Sequence, residues 1–193
     1  MKILEFNFKK EINASLSAVM WNYWDHEHLF VVHDNYTDAK IIYDNKFSAV
    51  FLLDYKLPIL SFLRSKSLNV MIMEDSNTIR HFNMGLFKIP VHTTIRVEEI
   101  KIDYSKIEIN YKIFLKGWTK LLAFYIPKMV KKWNEKVWLE DMPLKLRRTK
   151  VQRIGFKDFF GLPKHIKDRK VEGKINFELP VKRNLNSPLN MKK

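Results

Sequence analysis

The chain has no cysteine among its 193 residues. It therefore holds no disulfide, thiolate zinc site, cysteine nucleophile or cysteine-ligated iron–sulfur cluster of its own. The absence of thiols fits a reducing compartment. Glycine is scarce, at 5 residues. Neither G-x-G-x-x-G nor G-x-x-x-x-G-K-[ST] occurs, so the common glycine-rich phosphate cradles are excluded. No run approaches the length of a membrane span, and no transmembrane helix is predicted. Met1-Lys2-Ile3-Leu4-Glu5 becomes charged too early for a signal peptide, so a cytoplasmic protein is expected.

Hydrophobic residues make up 46% and aromatics 13%, which excludes a disordered chain. The length suits one domain, or one domain with a tail. The net charge is +14, unevenly spread. From Pro143 onward there are 15 Lys+Arg against 4 Asp+Glu, so that stretch carries +11 and residues 1–142 only +3. A basic tail can meet nucleic acid, anionic lipid or an acidic protein, and composition alone does not choose among them.

Residues 3–12 alternate, with Leu4, Phe6 and Phe8 on one face, and read as a strand. Asn13 or Ser15 can cap a helix carrying Leu16, Val19, Met20 and Tyr23 at helical spacing. A second short helical piece is predicted over Asp25 to His33. The period then drops to two, which predicts strands at 39–43, 47–55, 67–73, 78–84, 91–102 and 106–115. The last is the clearest, with Ile107, Ile109, Tyr111, Ile113 and Leu115 on one face. Asp44-Asn45, Asp75-Ser76-Asn77 and Asp103-Tyr104-Ser105 suit hairpin turns. A long amphipathic helix is predicted from about Trp118 to about Leu139, kinked at Pro127.

An antiparallel sheet wrapped around one long helix hides the apolar stripes of both. This order of elements resembles the START-like (SRPBCC, or Bet v 1-like) superfamily. The resemblance covers residues 1–142 and implies an α+β helix-grip fold with an apolar pocket, followed by a basic extension over 143–193. A fold of this kind implies a cavity rather than a reaction.

The densest chemistry lies in Trp24-Asp25-His26-Glu27-His28-Leu29-Phe30-Val31-Val32-His33-Asp34. Asp25 and His28 are three apart, so on a helix they share a face and can hydrogen-bond, as residues supporting a metal-bound imidazole do. His28 and His33 are five apart and reach one ion only if the helix ends or widens between them.

Asp25-x-x-His28-x-x-x-x-His33 resembles the D-x-x-H-x-x-x-x-H motif in the catalytic domain of Rieske-type ring-hydroxylating oxygenases, which are themselves START-like. The resemblance implies His28 and His33 as ligands of a mononuclear Fe(II). It implies Asp25 as the catalytic acid that links the iron to a neighbouring cluster. Trp138-Leu139-Glu140-Asp141 is similar to the family's acidic segment at the end of the long helix. Asp141 is then the third ligand and Glu140 its reserve. The chain departs from that family in lacking the Rieske domain, so electrons would come from a separate protein. The competing reading is a metal-free START-like protein that binds a lipid, polyketide or aromatic ligand.

His26 lies off the Asp25–His28 face and is expected at the surface, and His165 in the solvated tail. His81 and His92 fall within strands, as structural or pocket-lining groups. Trp118, Leu121, Leu122, Tyr125, Met129, Trp133 and Val137 form a helical stripe expected to serve as core and as pocket wall. The apolar stretch 57–63, between Lys56 and Arg64, is expected to be buried, with peripheral membrane contact as the alternative. Phe156, Phe159, Phe160 and Phe177 sit among basic residues, but no nucleic-acid module is present and no nucleic-acid partner is expected.

Overall fold

The computed structural model describes residues 1–25, 28, 32–33, 36–45, 47–56, 64–84 and 86–154. Seven strands form one antiparallel sheet: β1 (Lys2–Ile12), β2 (Tyr36–Asp44), β3 (Ser48–Lys56), β4 (Arg64–Asp75), β5 (Thr78–Met84), β6 (Pro90–Lys101) and β7 (Tyr104–Leu115). Their order is β1-β7-β6-β5-β4-β3-β2. Strands β2 to β7 are a meander of hairpins, and β1 closes on the last of them, with Phe6 opposite Tyr111 and Phe8 opposite Ile109. Among the described residues, two continuous α-helices accompany the sheet, α1 (Leu16–Trp24) and α2 (Ile126–Ile154).

The hairpin turns follow from their side chains. Asn45 Oδ1 accepts from the backbone amides of Phe47 and Ser48, and Asp75 Oδ1 accepts from that of Asn77. Asp103 takes a left-handed φ of 56°, which its short polar side chain tolerates. Ser15 is the cap of α1, accepting from the Ala18 amide at 3.2 Å.

Alternation sets which face is buried. Ala49, Phe51, Leu53, Met71, Met73, Ile79, Ile95, Val97, Ile107 and Ile109 line one side of the sheet and pack with Val19 and Met20 of α1. A second buried group joins Ile113 and Leu115 of β7 to Ile126 and Val130 of α2. The fold is the α+β, START-like helix-grip architecture that the element order implies.

Several expectations need correction. The segment before α2, Gly117–Phe124, is a 3-10 helix, not the first turns of an α-helix. With three residues per turn, Trp118, Leu121 and Phe124 stack on one face. That face points outward, leaving these residues 56%, 72% and 84% exposed, so Trp118 and Leu121 are not core. Pro127 causes no kink. It sits in the first turn of α2, where its missing N–H has no partner to lose.

The long helix also does not stop near Leu139. It continues across Pro143 to Ile154, so the boundary expected at 142/143 falls inside α2. Proline there removes one helical hydrogen bond, yet the helix persists because the turns beyond it are docked on α1. Leu144, Thr149 and Val151 are buried, Thr149 Oγ1 accepts from the Ser15 amide at 3.1 Å, and Ser15 Oγ donates to Gln152 at 2.8 Å. The expectations for His26, His165, the stretch 57–63 and the tail from 155 lie outside the described residues.

A chain ended after Met142 is therefore expected to lose cooperative thermal unfolding, because it discards the α1-docking turns. A chain ended after Gly161 is expected to keep it. Circular-dichroism melts of the two truncations check this.

Candidate metal centre

His28, His33 and Asp141 come from separate places in the chain and meet in one buried spot. His28 has helical backbone just beyond α1, His33 lies shortly before β2, and Asp141 is on the inner face of α2. Their side chains are 7%, 1% and 3% exposed. His28 Nε2 lies 3.3 Å from Asp141 Oδ1, and His33 Nε2 lies 3.1 Å from the same oxygen. One ligand atom from each residue falls within 4.8 Å of the others.

The histidine tautomers follow from their outer partners. His28 Nδ1–H donates to the backbone carbonyl of Asp25, which can only accept. His33 Nδ1–H donates to the Glu140 carboxylate at 2.6 Å. In its neutral form each ring presents its Nε2 lone pair to Asp141 Oδ1. With both rings neutral, three electron-rich atoms face one another in a dry site, an arrangement that a shared proton or a bound cation makes favourable. Among the described residues, His28 Nε2 and Asp141 Oδ1 are buried with no hydrogen-bond partner.

In the absence of metal, a proton can fill that role. Burial opposes the charge on His33, but the Asp141 and Glu140 carboxylates beside it outweigh that and push its pKa up to about 9. Burial likewise opposes ionisation of Asp141, yet the Lys145 charge and the two histidines hold its carboxyl well below the usual range.

Lys145 is fully buried, and its Nζ donates to Asp141 Oδ2 at 2.9 Å. Its ammonium also lies 4.2 Å from the centre of the Tyr23 ring. The two Asp141 oxygens therefore divide their work, Oδ2 to lysine and Oδ1 to the histidines. Burial lowers the Lys145 pKa despite the carboxylate beside it.

Asp25 supports His28 through its backbone carbonyl. Its carboxylate pairs with Arg148 at 2.5 Å, and Arg148 also donates to Asn22 Oδ1 at 3.2 Å. Glu140, the reserve ligand, supports His33 and lies 3.6 Å from Lys136. Lys145 and Arg148 were missed because the helix was expected to end first. The spacing of Asp141 and Lys145, four apart on a helix, was the available signal.

Beside His33 stands an aromatic wall. Tyr36 meets His33 and Trp133 edge-on at 5.6 Å each, and Tyr55 meets Trp133 at 6.1 Å. Burial pushes the Tyr36 phenol up, so it stays protonated. His81 Nε2 shares a hydrogen bond with Asn69 Oδ1 at 2.9 Å, and burial lowers its pKa to about 4. His92 stacks on Phe82 at 4.4 Å.

No family model matches the sequence. No curated protein matches it either. Solved structures do. The Zhui aromatase/cyclase from Streptomyces sp. R1128 is 7% identical, with a TM-score of 0.62 over 80% of this chain and 98% of that one. A protein from Thermus thermophilus is 14% identical, with a TM-score of 0.62 over 74% of this chain and 97% of that one. A point mutant of norcoclaurine synthase from Thalictrum flavum is 14% identical, with a TM-score of 0.58 over 75% and 95%. At such identities the likeness shows the fold alone. It does not extend to the chemistry of Rieske-type oxygenases.

Asp141→Asn should cost about 3–5 kcal/mol in chemical denaturation, because it strands the buried Lys145 charge. Asp141→Asn with Lys145→Met should recover much of that loss. If the double variant instead loses the sum of both single effects, the two residues are not coupled.

Proposed function

We propose that this helix-grip protein binds one divalent ion, Fe(II), through His28, His33 and Asp141, and holds an apolar small molecule beside it. The observation that carries the reading is the convergence of two tautomer-fixed Nε2 atoms on one carboxylate oxygen. Two imidazoles and a carboxylate suit a first-row divalent metal. The outer partners fit as well, since metal-bound histidines characteristically donate their other N–H to a carbonyl or carboxylate. Asp25 and Glu140 supply those acceptors here. Tyr36, Tyr55 and Trp133 offer an aromatic lining to a lipid, polyketide or aromatic ligand.

The roles of the chain's own groups follow. Glu140 and the Asp25 carbonyl orient the two rings and hold their Nδ1 protons. Lys145 keeps Asp141 ionised and pinned. Arg148 fixes Asp25 against α1. The protonated Tyr36 phenol lies next to the site and can donate to a polar group on the ligand.

A second reading adds oxidation of that ligand, favoured by the donor set, which is the one used by non-haem Fe(II) oxygenases. Bound Fe(II) would supply oxygen activation. A chain without cysteine holds no Rieske cluster, so a separate protein would deliver the electrons.

Protein purified without oxygen should carry close to one iron per chain. His28→Ala and His33→Ala should each abolish binding, and Glu140→Gln should weaken it by roughly 10–100-fold. Equal iron in wild type and both histidine variants would remove the metal from this reading. Native mass spectrometry of the same samples should separately find a co-purifying apolar molecule.

A further inference from the structure

One end of the sheet is apolar and basic at once. The β5–β6 connection and the 3-10 segment after β7 meet there, where Phe87 packs edge-on to Trp118 at 4.9 Å. Phe87 is 51% exposed, and Trp118, Leu121 and Phe124 form the outward row of the 3-10 turn. Phe87 and Lys88 both take left-handed backbone, at φ 57° and 55°, which residues with a β-carbon rarely adopt. The fold thus accepts local strain and holds a large aromatic in water.

Along the chain, the charge flanking this row has one sign. Lys88, Lys116, Lys120 and Lys128 are exposed. No Asp or Glu occurs between Glu108 and Glu135, nor between Asp75 and Glu98. A contiguous exposed apolar patch marks a surface that something covers. A second copy of the chain would set lysines against lysines. A protein partner would need pockets matched to four large side chains. A bilayer needs only apolar tips, a tryptophan at headgroup level and positive charge around them.

We propose that this end of the sheet docks on an anionic lipid bilayer, with Phe87, Trp118, Leu121 and Phe124 entering the headgroup boundary and the lysines facing the headgroups. The inference does not depend on the metal. Docking would place the apolar-ligand fold directly on an apolar source.

Co-sedimentation of the full chain with vesicles tests it. Binding is expected to phosphatidylcholine vesicles that contain phosphatidylserine, and far more weakly to phosphatidylcholine alone. Leu121→Ser with Phe124→Ser should lower affinity for the anionic vesicles by about ten-fold or more, with the melting temperature unchanged. Lys120→Glu and Lys128→Glu should each lower it by at least roughly five-fold. The basic stretch beyond residue 154 gives a control, because binding through it alone would ignore the serine substitutions and vanish as salt rises well past about 0.15 M. That outcome overturns the proposal. So does binding to poly-glutamate as tight as to the anionic vesicles and unaffected by the serine substitutions, which would assign the surface to an acidic protein.

Discussion

Asp141 is the group on which the centre of the molecule depends. A carboxylate buried this deeply is unfavourable unless its charge is met on both sides. Lys145 meets it through Oδ2, and the two histidines face Oδ1. Because Lys145 lies one turn further along α2, the helix must continue past Pro143 to bring it in. Because the histidines lie between α1 and β2, α2 must also pack on that region. The ion pair of Arg148 with Asp25 fastens the same two parts. Fold closure and the candidate metal centre are thus one piece of electrostatics.

Alternation made the sheet legible. Strands built on period-two patterns, such as Ile107 to Leu115, lie close to where the sequence places them, because burial of one face enforces the register. Asx side chains at 45 and 75 marked two of the turns. The long helix was less legible at both ends. Its start looked helical because Trp118, Leu121, Leu122 and Tyr125 fit a period of 3.6, whereas the chain winds at three residues per turn and turns part of that stripe outward. Its end was hidden by Pro143, whose local penalty is outweighed by the docking of Leu144, Thr149 and Val151. Tertiary packing overrode propensity in both cases.

The site was partly legible. The spacing Asp25-x-x-His28-x-x-x-x-His33 and the acidic pair at 140–141 named the residues that the fold brings together. Division of labour was not legible. Nothing in the spacing shows that Asp25 supports His28 through its carbonyl while its carboxylate goes to Arg148, or that Glu140 orients His33. Such roles depend on which atom faces which, and only the packed structure supplies that. The similar solved structures share the wrap of sheet around helix, and a shared wrap at this identity carries no chemistry with it.

The proposed centre places a cation between both Nε2 atoms and Asp141 Oδ1. X-ray absorption of the Fe(II)-loaded protein tests it most directly. The expected spectrum shows iron bound by nitrogen and oxygen with the multiple-scattering signature of two imidazoles, reduced to one in His33→Ala wherever iron is retained at all. A first shell free of imidazole scattering in the wild-type protein would contradict it.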